Sequence, residues 1–210
     1  MIIESYAQKT EEWFRAHLGI PTASQFYRIL TPTGELSKQA EVYMYELLAE
    51  YATARHEDGY KGAWMEQGIE READARSYYE FLTDSEVEQV GFIYKDEQRM
   101  IGCSPDGLVL PDGGVEFKCP KASTHVKTLM YGTIDIKYVP QVQGSLYITG
   151  LDWWDWVSYH PEMPSTRIRV LPDTVYQRKL DAVMNAFIET LLKKREEMKW
   201  ILPEESLVVL

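Results

Sequence analysis

The chain has 210 residues, 45% of them apolar, and a formal net charge of −11. That size and content fit one domain with a substantial core, and that charge argues against a protein that binds nucleic acid over its whole surface. No run of about 18 apolar residues occurs and the N-terminus lacks the basic and apolar regions of a signal peptide, so neither a membrane partner nor a secretory route is expected.

In chain order, Thr22 precedes ASQFYRIL and predicts an N-capped short helix with Ser24 in its first turn, where free N–H groups favour a phosphate. Thr31-Pro32-Thr33-Gly34 breaks the chain. A second helix is predicted from Lys38 to about Arg55, with Val42, Tyr45, Leu48, Ala49 and Ala52 on its apolar stripe, and a polar loop follows from His56 to Gly62. A third helix runs from about Ala63 to Leu82 and carries Gly68 and Glu72 on one face.

Val87–Lys95 alternates as a strand, and Arg99–Cys103, Gly107–Leu110 and Val115–Cys119 follow as short strands. Ser123–Tyr131 reads as a helix that Gly132 ends. Pro140 starts another, which runs to Gly150. Trp153, Trp154, Trp156 and Tyr159 mark a strand whose rings are expected to form core on both faces. Arg167–Leu171 reads as an edge strand. Asp173 caps a last helix striped by Leu180, Val183, Met184, Phe187, Ile188 and Leu191. Leu207–Leu210 forms an apolar tail.

The chemistry concentrates between Gly102 and Lys121. Pro111-Asp112-Gly113-Gly114 predicts a hairpin turn, which sets Asp106 and Glu116 at the same end of two antiparallel strands. Glu116 and Lys118, two apart, project from one face. Two carboxylates and an ammonium then converge, which suits a hard divalent cation such as Mg²⁺ that takes one or two carboxylates and keeps water and phosphate for the rest of its shell. A solvated surface hairpin would show the same spacing. The cysteines, Cys103 and Cys119, flank this stretch and read as small thiols. Lys118, Lys121, Lys127 and Lys137 could give an acidic chain a local basic lining.

Cys103-Ser104-Pro105-Asp106-Gly107-Leu108, with Glu116-Phe117-Lys118-Cys119-Pro120, resembles lambda exonuclease and the YqaJ-type viral recombinases, within the PD-(D/E)xK nuclease superfamily. Trp13 with Leu18–Ser24, then Gly68, Glu72 and Asp74-Ala75-Arg76, Gln141-Val142-Gln143 and Tyr159-His160-Pro161 extend the resemblance over roughly residues 13 to 161. It implies a single domain over 1–210 with a restriction-endonuclease-like α/β core, a central mixed sheet flanked by helices. It implies Asp106, Glu116 and the backbone of Phe117 as metal ligands for Mg²⁺, or Mn²⁺ in its place. Lys118 would position the attacking water, Glu72 would be an additional acid, and Gln143 would lie near the metal-bound phosphate with Gln141 less directly involved.

The same resemblance implies a pocket for a terminal 5′-phosphate, with Ser24 and Ser104 donating. The family carries an arginine where this chain has His17, whose partial charge would make the pocket pH-dependent near 6.5. Arg15 or Arg28 could take the arginine's place. The implied activity is 5′→3′ digestion of double-stranded DNA ends to mononucleotides, leaving 3′ overhangs. The implied setting is a ring-shaped homotrimer in the bacterial host cytoplasm, working with a single-strand annealing protein and with the C-terminal tail packed on a neighbour. A sequence-specific endonuclease and a non-catalytic DNA-end binder are the alternatives on the same core.

Overall fold

The computed structural model describes the backbone of residues 1–56 and 63–201 and the side chains of 1–56 and 71–199. The expectations for the 57–62 part of the loop and for Leu207–Leu210 lie outside the described residues. The architecture is mixed α/β. Its central sheet runs β4 (Gly107–Val109), β5 (Gly113–Lys118), β6 (Trp153–His160) and β7 (Met163–Val170) in that order.

Pairing is antiparallel at both outer interfaces and parallel between β5 and β6. A parallel pair needs a long crossover. Here α4 (Ala122–Tyr131), a 3₁₀ turn at Ile136–Tyr138 and α5 (Val139–Thr149) supply it. The crossover leaves the sheet just beyond Lys118 and re-enters it at Trp153, opposite Gly113, and on the way the start of α5 returns to the C-terminal end of β5, where Gln141 meets Glu116.

The β4–β5 register pairs Gly107 with Val115 and Val109 with Gly113. This puts Asp106 and Glu116 at one end of the hairpin, as the turn residues predict. Gly114 is required beneath the buried Trp154, because a Cβ there would lie 2.4 Å from its ring. Trp154, Trp156 and Val157 of β6 are buried, so the aromatic strand is core rather than a base-stacking surface.

A smaller antiparallel sheet joins β1 (Ile2–Glu4), β2 (Phe92–Tyr94) and β3 (Gly102–Cys103). Only three residues of the Val87–Lys95 alternation form ladder; Glu88 makes an isolated bridge to Leu108 instead. The strand at Ile2–Glu4 is too short to show a period in the sequence. β7 begins four residues before its predicted start, because it continues straight from β6 through a tight turn with a bulge at Ser158/His160.

The helices pack around these sheets. α6 (Thr174–Ile201) buries Leu180, Met184, Phe187 and Leu191, the predicted stripe, and Asp173 caps it by accepting from the N–H groups of Val175 and Tyr176. α2 (Ala40–Thr53) buries Leu48 of the predicted stripe, but its inward face is rolled away from the start of that stripe. Tyr43, Met44 and Leu47 are buried while Val42 and Tyr45 are exposed. Apolar residues surround that helix, so periodicity does not select a face; the stacking of Tyr43 on Phe187 of α6 does. α5 lies against the 3₁₀ helix Ala23–Arg28, close enough that a Cβ on Gly144 would meet Phe26 at 2.5 Å.

Candidate active site

Asp106 and Glu116 face each other across the end of the β4–β5 hairpin. Oδ2 of Asp106 accepts the Phe117 N–H at 2.6 Å, a contact that ties the loop before β4 to the middle of β5. Glu116 is buried, and its Oε1 accepts from Lys118 Nζ at 2.6 Å and from Gln141 Nε2 at 2.7 Å. Among the described residues, Oδ1 of Asp106 and Oε2 of Glu116 accept no hydrogen bond. Each acid is thus held by one oxygen and presents the other.

Electrostatics reflects this crowding. Burial, then repulsion from Glu116 and Glu72, raises the Asp106 carboxyl well above the ordinary aspartate range, against the pull of Lys118 and the Phe117 N–H. Burial lowers the pKa of Lys118, but attraction and the hydrogen bond from Glu116, with Asp106 and Tyr138 beyond, outweigh it and leave the ammonium firmly charged. The Tyr138 ring lies 5.2 Å from Lys118 Nζ. Cys119 is pushed up to about 11 by burial and then by Glu72 and Asp106, and burial raises Cys103 as well. Both are free thiols beside the acids, unsuited to ligate an ion as thiolates.

Glu72 is placed by α3 (Ala63–Thr83). Ala75 and Tyr79 follow it on the same face and are buried against the sheet, with the Tyr79 ring edge-on to Phe117 of β5. Tyr79 also donates to Asp155 Oδ2 at 2.8 Å. Asp155 is fully buried in β6 and paired with Arg169. This buried network fixes the helix that aims Glu72 at Asp106, while Arg76 contacts Glu72 at 3.4 Å.

The two glutamines exchange the parts expected of them. Gln141, at the start of α5, touches Glu116. Gln143 is buried elsewhere: its Nε2 donates to the Leu171 carbonyl, and its Oε1 accepts from the Asp173 N–H and from Gln177 Nε2. Residues two apart on a helix point apart by about 200°. Only one of this pair can look at the site, and Gln143 instead joins α5 to the start of α6.

The residues proposed for a phosphate divide. His17, Ser24 and Arg28 line one cavity of about 270 Å³ together with Glu46, Glu50 and His56. Ser104 and Arg15 do not. Ser104 Oγ donates to the Gly91 carbonyl at 2.7 Å and accepts from Trp13 Nε1 at 2.6 Å, so it braces the approach to Asp106. Arg15 pairs with Glu11 in solvent. His17 is not the cation expected: it sits between the rings of Trp13 and Phe92, and burial lowers its pKa to about 4, so it is neutral at physiological pH. Arg28 makes a two-point pair with Glu46 at 2.5 and 2.6 Å. The Ser24 position offers less than an N-capped helix would. The helix is a six-residue 3₁₀ turn, and Thr22 makes no side-chain cap but contacts Ser24 Oγ at 3.2 Å.

Three further residues brace the site; Trp13 belongs to the N-terminal block of the resemblance, but no local pattern marks the contacts that any of the three makes. Gln8 donates to the carbonyls of Pro105 and Val90, Trp13 holds Ser104, and Tyr138 lies beside Lys118.

The profile of the YqaJ-like viral recombinase domain matches residues 12–152. The chain belongs to that family. Solved structures are similar to this chain. An alkaline exonuclease (LHK-Exo) from Laribacter hongkongensis is 34% identical with a TM-score of 0.81, covering 90% of this chain and 96% of that one, and its complex with dAMP matches equally. A phage-related exonuclease from Haemophilus somnus 129PT shares the fold, with a TM-score of 0.65 at 15% identity over 85% of this chain and 96% of that one. No curated protein matches. Among the described residues, no helix is long and apolar enough to cross a membrane.

Two carboxylates, each with one oxygen that accepts no hydrogen bond among the described residues, backed by an ammonium and an amide, are a donor set that fits a hard divalent ion. Among the described residues no third His, Cys, Asp or Glu joins them in a metal-holding cluster.

Proposed function

We propose that the protein is a Mg²⁺-dependent 5′→3′ exonuclease on double-stranded DNA. It releases mononucleotides and leaves 3′ single-stranded overhangs for annealing-type recombination. The observation that carries this reading is the convergence of Asp106, Glu116 and Lys118 at one hairpin end, in a chain 34% identical to an alkaline exonuclease whose complex with dAMP has been solved.

Asp106 and Glu116 would hold the ion, with the Phe117 carbonyl as a further ligand and Mn²⁺ as a possible substitute. When bound, the ion lowers the pKa of a nearby water and neutralises charge on the phosphodiester. Lys118, kept charged by its acidic neighbours, orients the attacking water and steadies the developing negative charge. Glu72 adds negative potential beside Asp106, and Gln141 keeps Glu116 from rotating away.

The end pocket is the cavity lined by Ser24 and Arg28, with Arg28 the cation. An acidic chain that encloses DNA benefits from a ring whose inner wall alone is basic, which supports a homotrimer that hands its product to an annealing partner in the host cytoplasm.

Duplexes labelled at either end provide the test. Loss of 5′-terminal nucleotides first from 5′-phosphorylated linear DNA, with covalently closed circles left intact, is expected. Cutting of closed circles would establish an endonuclease instead, and duplex-end binding with no cutting in Mg²⁺ or Mn²⁺ would leave an end binder.

A further inference from the structure

We propose that the groove between α4 and the segment 133–136 is a track for single-stranded DNA, occupied by the unpaired part of the strand being cut. This rests on the nuclease reading above. The groove is a cavity of about 370 Å³ that includes Lys127, Thr128, Tyr131, Asp135 and Ile136. Lys127 and Tyr131 are one turn apart on α4 and so share a face.

Both walls of the groove lead to the catalytic residues. α4 begins four residues after Lys118, and the 3₁₀ turn after the groove ends three residues before Gln141. Within that turn the Tyr138 ring lies beside both Lys118 and Lys137. The groove is thus joined to the catalytic hairpin end by short stretches of chain on both sides, and the unpaired nucleotides it would hold are those between the duplex and the carboxylates.

Charge selects a polyanion. Between 118 and 138 there are four lysines, Lys118, Lys121, Lys127 and Lys137, against one acid, Asp135, in a chain of net charge −11. The Asp135 carboxylate is turned to the N–H of Lys137, where it caps the 3₁₀ turn. Among the described residues Lys121, Lys127 and Lys137 make no ion pair, so they are available to phosphates.

The apolar component selects bases. Tyr131 and Ile136, both lining the groove, are 68% and 64% exposed, two large side chains left in water. An exposed aromatic ring next to lysines matches the platform that binds single strands without sequence preference, since every base has a face to stack. Duplex DNA would bury its bases from Tyr131 and would gain only the lysines.

Binding is measured by fluorescence anisotropy of a labelled oligothymidylate in EDTA, where no cutting occurs. Tyr131→Ala is expected to weaken binding about tenfold while Tyr131→Phe restores it. Lys127→Ala is expected to reduce the slope of log K against log salt by about 0.7, one phosphate contact on a single strand. Circular dichroism checks that the variants are folded; both positions are exposed. The proposal is overturned if Tyr131→Ala binds within about twofold of wild type, or if the Lys127→Ala slope is unchanged. It is also overturned if light scattering shows that either change alters the oligomeric state, because the face is then a subunit contact. Failure of the wild type to cut any duplex would overturn the nuclease reading and leave this binding result standing separately.

Discussion

Gln141 and Gln143 lie two residues apart, yet their replacement should have opposite consequences. Gln143→Ala removes three side-chain hydrogen bonds, to the Leu171 carbonyl, the Asp173 N–H and Gln177 Nε2. At about 1 kcal/mol net for each, the loss is about 3 kcal/mol, since the partners sit in a partly buried junction and are left unpaired. For a domain of this size that corresponds to a fall of about 6–12 °C in Tm. Gln141→Ala removes one hydrogen bond to Glu116, worth about 1 kcal/mol. It should instead cut the rate about 10- to 100-fold, the usual effect of releasing a residue that orients a metal ligand. Thermal melts of both variants, with cleavage of a linear duplex measured well below either Tm, make the comparison. A Gln143→Ala protein with wild-type Tm and lost activity, beside a Gln141→Ala protein with full activity, would refute the assignment.

Three further outcomes are expected. Asp155→Ala leaves Tyr79 and Arg169 without their buried partner and should cost about 3–5 kcal/mol, measured by urea denaturation; Tyr79→Phe, which keeps the ion pair, should cost about 1 kcal/mol. His17 has a folded pKa of about 4 against 6.5 unfolded, so the unfolded chain takes up the proton first. Its contribution is therefore intact above pH 6.5 and is lost as pH falls towards 4, up to about 3 kcal/mol; a His17→Gln protein should show a shallower acid transition, while its preference for 5′-phosphate should follow the same pH profile as wild type. Asp106→Asn keeps the acceptor for the Phe117 N–H and removes a repelled charge, so it should raise the Tm of metal-free protein at neutral pH and abolish the rise in Tm that Mg²⁺ produces in wild type.

The hairpin of the candidate site was legible because its determinants are local. Pro and Gly fix the turn, the turn fixes the register, and the register brings Asp106 to Glu116 and Lys118. Capping at Asp173 and the stripe of α6 were equally local. What sequence alone missed depends on the third dimension. α2 is apolar around most of its circumference, so only contact with α6 chooses Tyr43 over Tyr45. His17 reads in sequence as a partly charged phosphate contact, but the rings of Trp13 and Phe92, the latter 75 residues away, enclose it, and burial keeps it neutral. Spacing showed that Gln141 and Gln143 must part, but which one turns to Glu116 depends on how the helix is rolled against α6.

In the proposed function two carboxylates, Asp106 and Glu116, hold a divalent ion at the site that cuts DNA. The most direct test is the initial rate of nucleotide release from a 5′-phosphorylated linear duplex, in Mg²⁺ and in EDTA, for wild type, Asp106→Ala and Glu116→Ala. Cleavage by wild type in Mg²⁺ alone, with neither variant retaining a tenth of that rate, is the predicted result. Release by wild type in EDTA, or by either folded variant at the wild-type rate in Mg²⁺, would contradict it.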